Sequence, residues 1–454
     1  MTESRQQERN QMGSKKMLPL IISMAVPPML SMLIQSLYNI VDSIFVARVS
    51  EEALSAVSII FPIQNLALSI AVGLGIGLNS YIARNLGAGD TEKVDKACTM
   101  GFFLTLIHYI LIALLGILCM KPFVAVFAKT AEVASLCYDY GYIIVLFSFG
   151  QLFHIMIEKM FQATGKMLIP MALQGIGCVV NLVMDPILIF GLFGCPVLGV
   201  KGAAIATVMG QIVSCVLSMI LLVQGKGGLK LHRIHWDKKN LIMVKQVYAV
   251  ALPSTLIMAL PSILIAGLNG ILVSFSAVAV SVFGIYYKLQ TFVYMPANGL
   301  IQGVRPIISY NYGAGDQKRE KEALGISIGI VGTIMLLGTM LFWFFPVQIM
   351  DIFKSNKEMK EMGVLALRII SIGFLPSTLG ILAGAVFESI GKGVQSLIIT
   401  MLRQLVIILP VSIVCSRFLG LMGVWISFPI AEIIAAVLAV LLLKKELKNT
   451  IPMI

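Results

Sequence analysis

The chain has 454 residues, of which 58% are hydrophobic and only 12% charged, with a mean hydropathy of +0.94 and a net charge of +12. Soluble domains carry about 25% charged residues, so this composition cannot cover a water-soluble globule of this size. Transmembrane strands would need ~10-residue segments of alternating polarity; what recurs instead are apolar stretches of the ~20 residues that a spanning helix requires.

In chain order, residues 1–17 form a polar tail, and the apolar run from Leu18 to Val49 is too long for a signal-peptide core and lacks a clear cleavage site. It reads as the first span. Polar breaks then predict spans at about 18–47, 53–82, 97–120, 138–158, 168–193, 202–224, 246–272, 278–308, 323–347, 364–387, 394–416 and 422–443. The expected fold is an all-α membrane protein with twelve transmembrane helices in two pseudo-symmetric six-helix bundles, a parallel repeat. The expected organisation is a cytoplasmic tail (1–17), an N-terminal bundle (18–225), a cytoplasmic linker (226–245), a C-terminal bundle (246–445) and a cytoplasmic tail (446–454). Seven scattered cysteines without a CxxC pair, and four histidines without an HExxH spacing, predict neither a disulfide framework nor a zinc site.

Orientation follows from Lys and Arg, which accumulate on the cytoplasmic side. With both termini inside, twenty-three of the 34 basic residues fall on inner segments and eight on outer ones. The remaining three, Lys288, Arg368 and Arg403, lie within spans and are read as pairing with acids across helices or snorkelling to the interface. The positive charge then suits an anionic inner leaflet, and no nucleic-acid partner is expected.

The second half repeats the first at an offset of 226 residues. Asn85-Leu-Gly-Ala-Gly-Asp90 matches Asn311-Tyr-Gly-Ala-Gly-Asp316, and Phe161-Gln-Ala-Thr-Gly-Lys166 matches Phe387-Glu-Ser-Ile-Gly-Lys392. Pro27 matches Pro253, Gln64 matches Gln290, Gly73 matches Gly299, and Gly77 matches Gly303 in the same register. Six spans per half make the repeat parallel, about an axis along the membrane normal. Asp90 and Asp316 are placed to cap the following helices. Gly73-Leu-Gly-Ile-Gly77 inside a span reads as close helix packing rather than a nucleotide loop.

These two NxGAGD loops and the FQATGK/FESIGK pair, with YNIVDSIFV (38–46), NLVMDPILIFG (181–191) and LGVKGAAIAT (198–207), resemble the multidrug and toxic compound extrusion family over essentially the whole chain. The resemblance implies a secondary active exporter of organic, often cationic, drug-like compounds. It would work by alternating access in exchange for H⁺ or Na⁺, without ATP, in a bacterial inner membrane. No cofactor is expected beyond the coupling ion, and no metal beyond Na⁺ at its site. The expected partners are small organic cations, drugs and membrane lipids, and the expected state is a monomer.

Ionisable groups inside spans are costly and point to function. Asp42 lies in the first span, Asn181 and Asp185 share a face of the fifth, and Thr207 lies in the sixth, all at a similar depth. Two carboxylates, an amide oxygen and a hydroxyl can coordinate Na⁺ or hold a proton, and the resemblance carries the family's N-lobe cation site onto these four positions. Gln35 and Asn39, on the Asp42 face, and Glu432 in the last span are candidate cavity groups. The C-terminal half offers no equivalent acid pair. A lipid or lipid-linked oligosaccharide flippase is the alternative; it would favour a cationic cavity. No catalytic constellation supports an enzyme.

Overall fold

The computed structural model describes residues 11–232 and 238–449, whose regular structure is helical. Span 1 is Met17–Ala47, span 2 Glu51–Gly87, span 3 Thr91–Phe127, span 5 Leu168–Phe190, span 6 Val200–Val223, span 7 Lys238–Leu272, span 8 Ala277–Ala314, span 9 Gln317–Phe344 and span 12 Leu421–Asn449. Span 11 covers Gly393–Leu419. Spans 4 and 10 are bent pairs: Ala131–Leu146 with Phe149–Ala163 at 43°, and Lys357–Ser371 with Phe374–Ser389 at 49°. The predicted linker includes residues 233–237, and the predicted tails include 1–10 and 450–454, all outside the described residues.

Several helices run beyond their predicted apolar cores. Glu158 and Lys159, which end the apolar run of the fourth predicted span, lie within the helix and pair with each other there, Lys159 Nζ lying 2.9 Å from Glu158 Oε1. Lys159 therefore sits buried in a span rather than in a loop. The bends in spans 4 and 10 were not predicted, since neither breaks the apolar pattern. At both, a serine hydroxyl binds a nearby carbonyl: Ser148 Oγ donates to Val145 O at 2.8 Å, and Ser371 Oγ to Arg368 O at 3.1 Å. Such bonds compete with the helical ladder.

The repeat is legible in the turns. Asp90 accepts from the backbone N–H of Lys93, and Asp316 from that of Arg319, both at 3.0 Å, as the capping reading expects. Ser50 and Ser276, one repeat apart, cap spans 2 and 8 in the same way. Gly89 and Gly315 both take positive φ (80° and 73°), the conformation that a Cβ would disfavour.

The halves meet through spans 1 and 2 of one and spans 7 and 8 of the other. A Cβ on Gly73 or Gly77 would strike span 7 at Thr255, Ala251 or Val247. One repeat later, a Cβ on Gly299 or Gly303 would strike span 1 at Met29, Met24 or Ala25. On the axis, Gly87 lies against Tyr310 and Gly313 against Arg84. The packing role predicted for the GLGIG stretch thus belongs to a seam between halves. All these approaches lie toward the side bearing the NxGAGD loops, here termed the basic side. Toward the opposite side, Asn39 of span 1 and Lys288, Thr291 and Asn298 of span 8 are exposed, and we read the space between these two spans as a cleft closed at the basic end.

That seal is also polar. Ser80 Oγ donates to the carbonyls of Glu388 (2.6 Å) and Ser389 (2.9 Å), and Arg84 Nη1 to that of Ile390 (2.8 Å). The first half thereby caps the C-terminal end of span 10, where carbonyls lack intrahelical donors and positive charge is favoured. Lys159 Nζ adds a 2.9 Å bond to Gln302 Oε1 across the same seam.

Candidate cation site and its surroundings

Asp185 is fully buried, Asn181 and Thr207 nearly so, and Asp42 partly so. The structure brings these four predicted residues together. Asn181 Nδ2 bridges Asp185 Oδ1 and Thr207 Oγ1, at 3.4 Å each. The Asp42 and Asp185 carboxyl groups are within hydrogen-bonding reach of each other. The i, i+4 spacing of Asn181 and Asp185 places both on one side of span 5, and Asp42 enters from span 1.

A hydrogen bond between two carboxyl groups requires a proton on one of them, because an ionised carboxylate only accepts. Asp42 Oδ1, Asp185 Oδ2 and Asn181 Oδ1 are buried without a hydrogen-bond partner. Orphaned buried oxygens of this kind are costly, and either a proton or a hard cation with oxygen preference would satisfy them. The donor set therefore fits H⁺ or Na⁺. Among the described residues no cluster of three His, Cys, Asp or Glu side chains has metal-binding geometry.

Three further residues complete the site and escaped the sequence reading. Tyr38 lies beside Thr207 and Asp42, and Tyr140 of span 4 lies near both acids. Gln64 Nε2 donates to the Tyr140 hydroxyl at 3.3 Å. Tyr38 precedes Asp42 by one helical turn, a spacing that could have exposed it; Tyr140 carries no local signal.

The cavity candidates divide. Gln35 Oε1 accepts from Gln174 Nε2 at 2.6 Å, tying span 1 to span 5. Asn39 is exposed on the wall of the cleft. Glu432 lies elsewhere, in the C-terminal half, where its Oε1 is 3.0 Å from Arg403 Nε and its charge is neutralised. Arg403 occupies a π-helical turn, Leu402–Val406, in the middle of span 11.

Twelve spans in two parallel-repeat bundles, with a cleft between them and a buried acid pair in one, define a duplicated membrane transporter fold. The MatE family model matches residues 27–187 and again 253–414, one match per half, and the chain belongs to this family of secondary transporters. It is 24% identical over 425 residues to the multidrug export protein MepA of Staphylococcus aureus, covering 92% of this chain and 91% of that one. It is 23% identical over 424 residues to an FAD transporter of Shewanella oneidensis, covering 92% of each. Among solved structures, an outward-facing multidrug resistance MATE transporter of the MOP superfamily superposes with a TM-score of 0.87 at 25% identity, covering 96% of this chain and 99% of that one. A MOP superfamily transporter from Pyrococcus furiosus, described as having a binding pocket of reverse polarity, gives 0.89 at 25% identity, covering 97% and 98%.

Proposed function

We propose that the protein is a cation-coupled exporter of organic solutes, in which H⁺ or Na⁺ bound by Asp42, Asp185, Asn181 and Thr207 drives alternating access. The observation that carries this reading is the buried Asp42–Asp185 carboxyl pair, with its orphaned oxygens, standing beside a cleft between two bundles. The basic side is assigned to the cytoplasm by its lysines and arginines, which puts both termini inside and makes the present cleft outward-open. Cation arrival satisfies the orphaned oxygens and ties span 1 to span 5. Span 1 also lines the seam through Met24, Ala25 and Met29, so a change in its packing reaches the other half. Pro27 and Pro28, inside the unbroken helix of span 1, remove two ladder hydrogen bonds and make that segment the place to yield.

MepA and its name support drug-like cargo, whereas the flavin-dinucleotide relative supports a cargo carrying phosphates. Export of drugs and a contribution to antibiotic resistance rest on the first of these. The test is dye transport in proteoliposomes under separately imposed pH and Na⁺ gradients. Movement driven by one of these gradients and lost in Asp185→Asn is expected. Transport that ignores both gradients, or requires ATP, contradicts the assignment.

A further inference from the structure

Span 8, Ala277–Ala314, is 38 residues long and carries a stripe of mostly polar residues. Lys288, Thr291, Met295, Asn298 and Gln302 follow one another at steps of three or four, which places them on one helix face. The lower end of that stripe is fixed by contacts: Gln302 bonds Lys159 of span 4 and the sulfur of Met32 in span 1. The stripe therefore faces the first half of the protein, across the cleft. The opposite faces are accounted for, with Tyr294 against Phe374 and Ser377 of span 10, and Val293 against Gly338 of span 9.

Lys288 tops this stripe and is exposed, and among the described residues no acid pairs with it. It does not pair with an acid, the first of the two alternatives expected for a basic residue inside a span. It stands 11 residues from the start of span 8, about 16 Å along the helix at 1.5 Å per residue. The antiparallel contacts Gly299 with Met29 and Gly303 with Ala25 extend to place Lys288 level with Ile40 of span 1. Its ammonium thus stands in the wall of the cleft at the depth of the acid pair, which is turned into its own bundle. The other basic groups near the cleft are neutralised: Lys159 by Glu158, Arg305 by Glu388 at 2.6 Å, and Arg403 by Glu432. Exposed on the cleft wall and without an acid partner among the described residues, this ammonium is available to a visiting anion.

We propose that Lys288, with Thr291 and Asn298 on the same face, is an anion-recognising subsite of the transport cleft. Its ligand is an amphiphilic solute that joins an aromatic or apolar body to a carboxylate, sulfonate or phosphate. The ammonium pairs with the anionic group, and the hydroxyl and amide supply directional hydrogen bonds. This rests on the transporter reading above but not on the identity of the coupling ion.

The test is equilibrium binding by fluorescence polarisation to the full chain in nanodiscs of phosphatidylcholine, which contain no anionic lipid. The probes are 6-carboxyfluorescein and rhodamine 123, which share a xanthene ring and differ in charge. The wild type should bind carboxyfluorescein. Lys288→Gln should weaken that binding at least tenfold, Lys288→Arg should largely keep it, and Lys288→Glu should abolish it while strengthening rhodamine 123. Binding of carboxyfluorescein that is absent from the wild type, or unchanged in Lys288→Gln with the variant monodisperse, would overturn the proposal. Asp185→Asn separates the two readings: it should stop gradient-driven efflux and leave carboxyfluorescein binding in place. Efflux that survives Asp185→Asn while Lys288-dependent binding is intact contradicts only the coupling site, and efflux lost in Asp185→Asn with no Lys288-dependent binding contradicts only the subsite.

Discussion

The two halves share one plan and differ where it matters. Asp42 of span 1 corresponds at the 226 offset to Leu268 of span 7. Asn181 and Asp185 correspond to Ile408 and Ser412 once the extra residue of the π-helical turn is counted. The stretch LGVKGAAIAT repeats as LGLMGVWISF at an offset of 221, with Gly199 and Gly420 sharing positive φ (55° and 59°), and there Thr207 becomes Phe428. Leu268, Ile408 and Phe428 are buried in one continuous apolar core, whereas the first half's core is divided into separate patches. Duplication thus supplied a symmetric scaffold and seam, and divergence left two acids with an amide and a hydroxyl in one bundle and an ion pair of opposite charges, Arg403 with Glu432, in the other.

This contrast is open to attack at four points. The largest effect is expected at the acid pair: Asp42→Asn or Asp185→Asn should reduce gradient-driven dye transport by at least about a hundredfold, with expression and monodispersity retained. The Arg403–Glu432 pair should behave oppositely. Removing one partner leaves a buried charge and should destabilise by about 3–5 kcal/mol, read as a fall in melting temperature, whereas Arg403→Leu with Glu432→Leu should restore stability and keep transport. Next comes the asymmetric seal. Arg84→Ala removes a charged hydrogen bond of about 1.5–3 kcal/mol and should open the basic side, raising the alkylation rate of a cysteine placed at Ser389. The smallest effect concerns the loop cap. The Lys93 side chain and backbone N–H hold the Asp90 carboxyl below the usual range. Its contribution is therefore present above the ordinary carboxylate range and lost as pH falls through the depressed value. Asp90→Asn, which retains a capping oxygen, should flatten this slight acid dependence of melting.

Sequence alone revealed the spans and the repeat, and it singled out the four polar residues that the structure brings together, because an apolar run, a fixed offset and acids placed where acids are expensive each leave a local mark. It did not reveal Tyr140 and Gln64, which come from spans 4 and 2 respectively through tertiary packing and carry no charge. Nor did it show that Glu432 and Arg403 would neutralise one another, since the two lie on different helices and a π-helical turn re-aims the arginine. The bends at Ser148 and Ser371 were invisible for a related reason, as neither interrupts the hydrophobic pattern. Lys288 was visible as a basic residue inside a span, but the face it occupies depended on where Gln302 makes contact.

The claim at the centre is that one bundle alone carries the coupling cation. Cation displacement on addition of a transported dye, followed in weakly buffered detergent solution with a pH indicator and a sodium electrode, measures it directly. The wild type and the double variant Arg403→Leu with Glu432→Leu should release the same cation to the same extent, and Asp185→Asn should release none. Undiminished release from Asp185→Asn, or its disappearance in the double variant, would contradict the account.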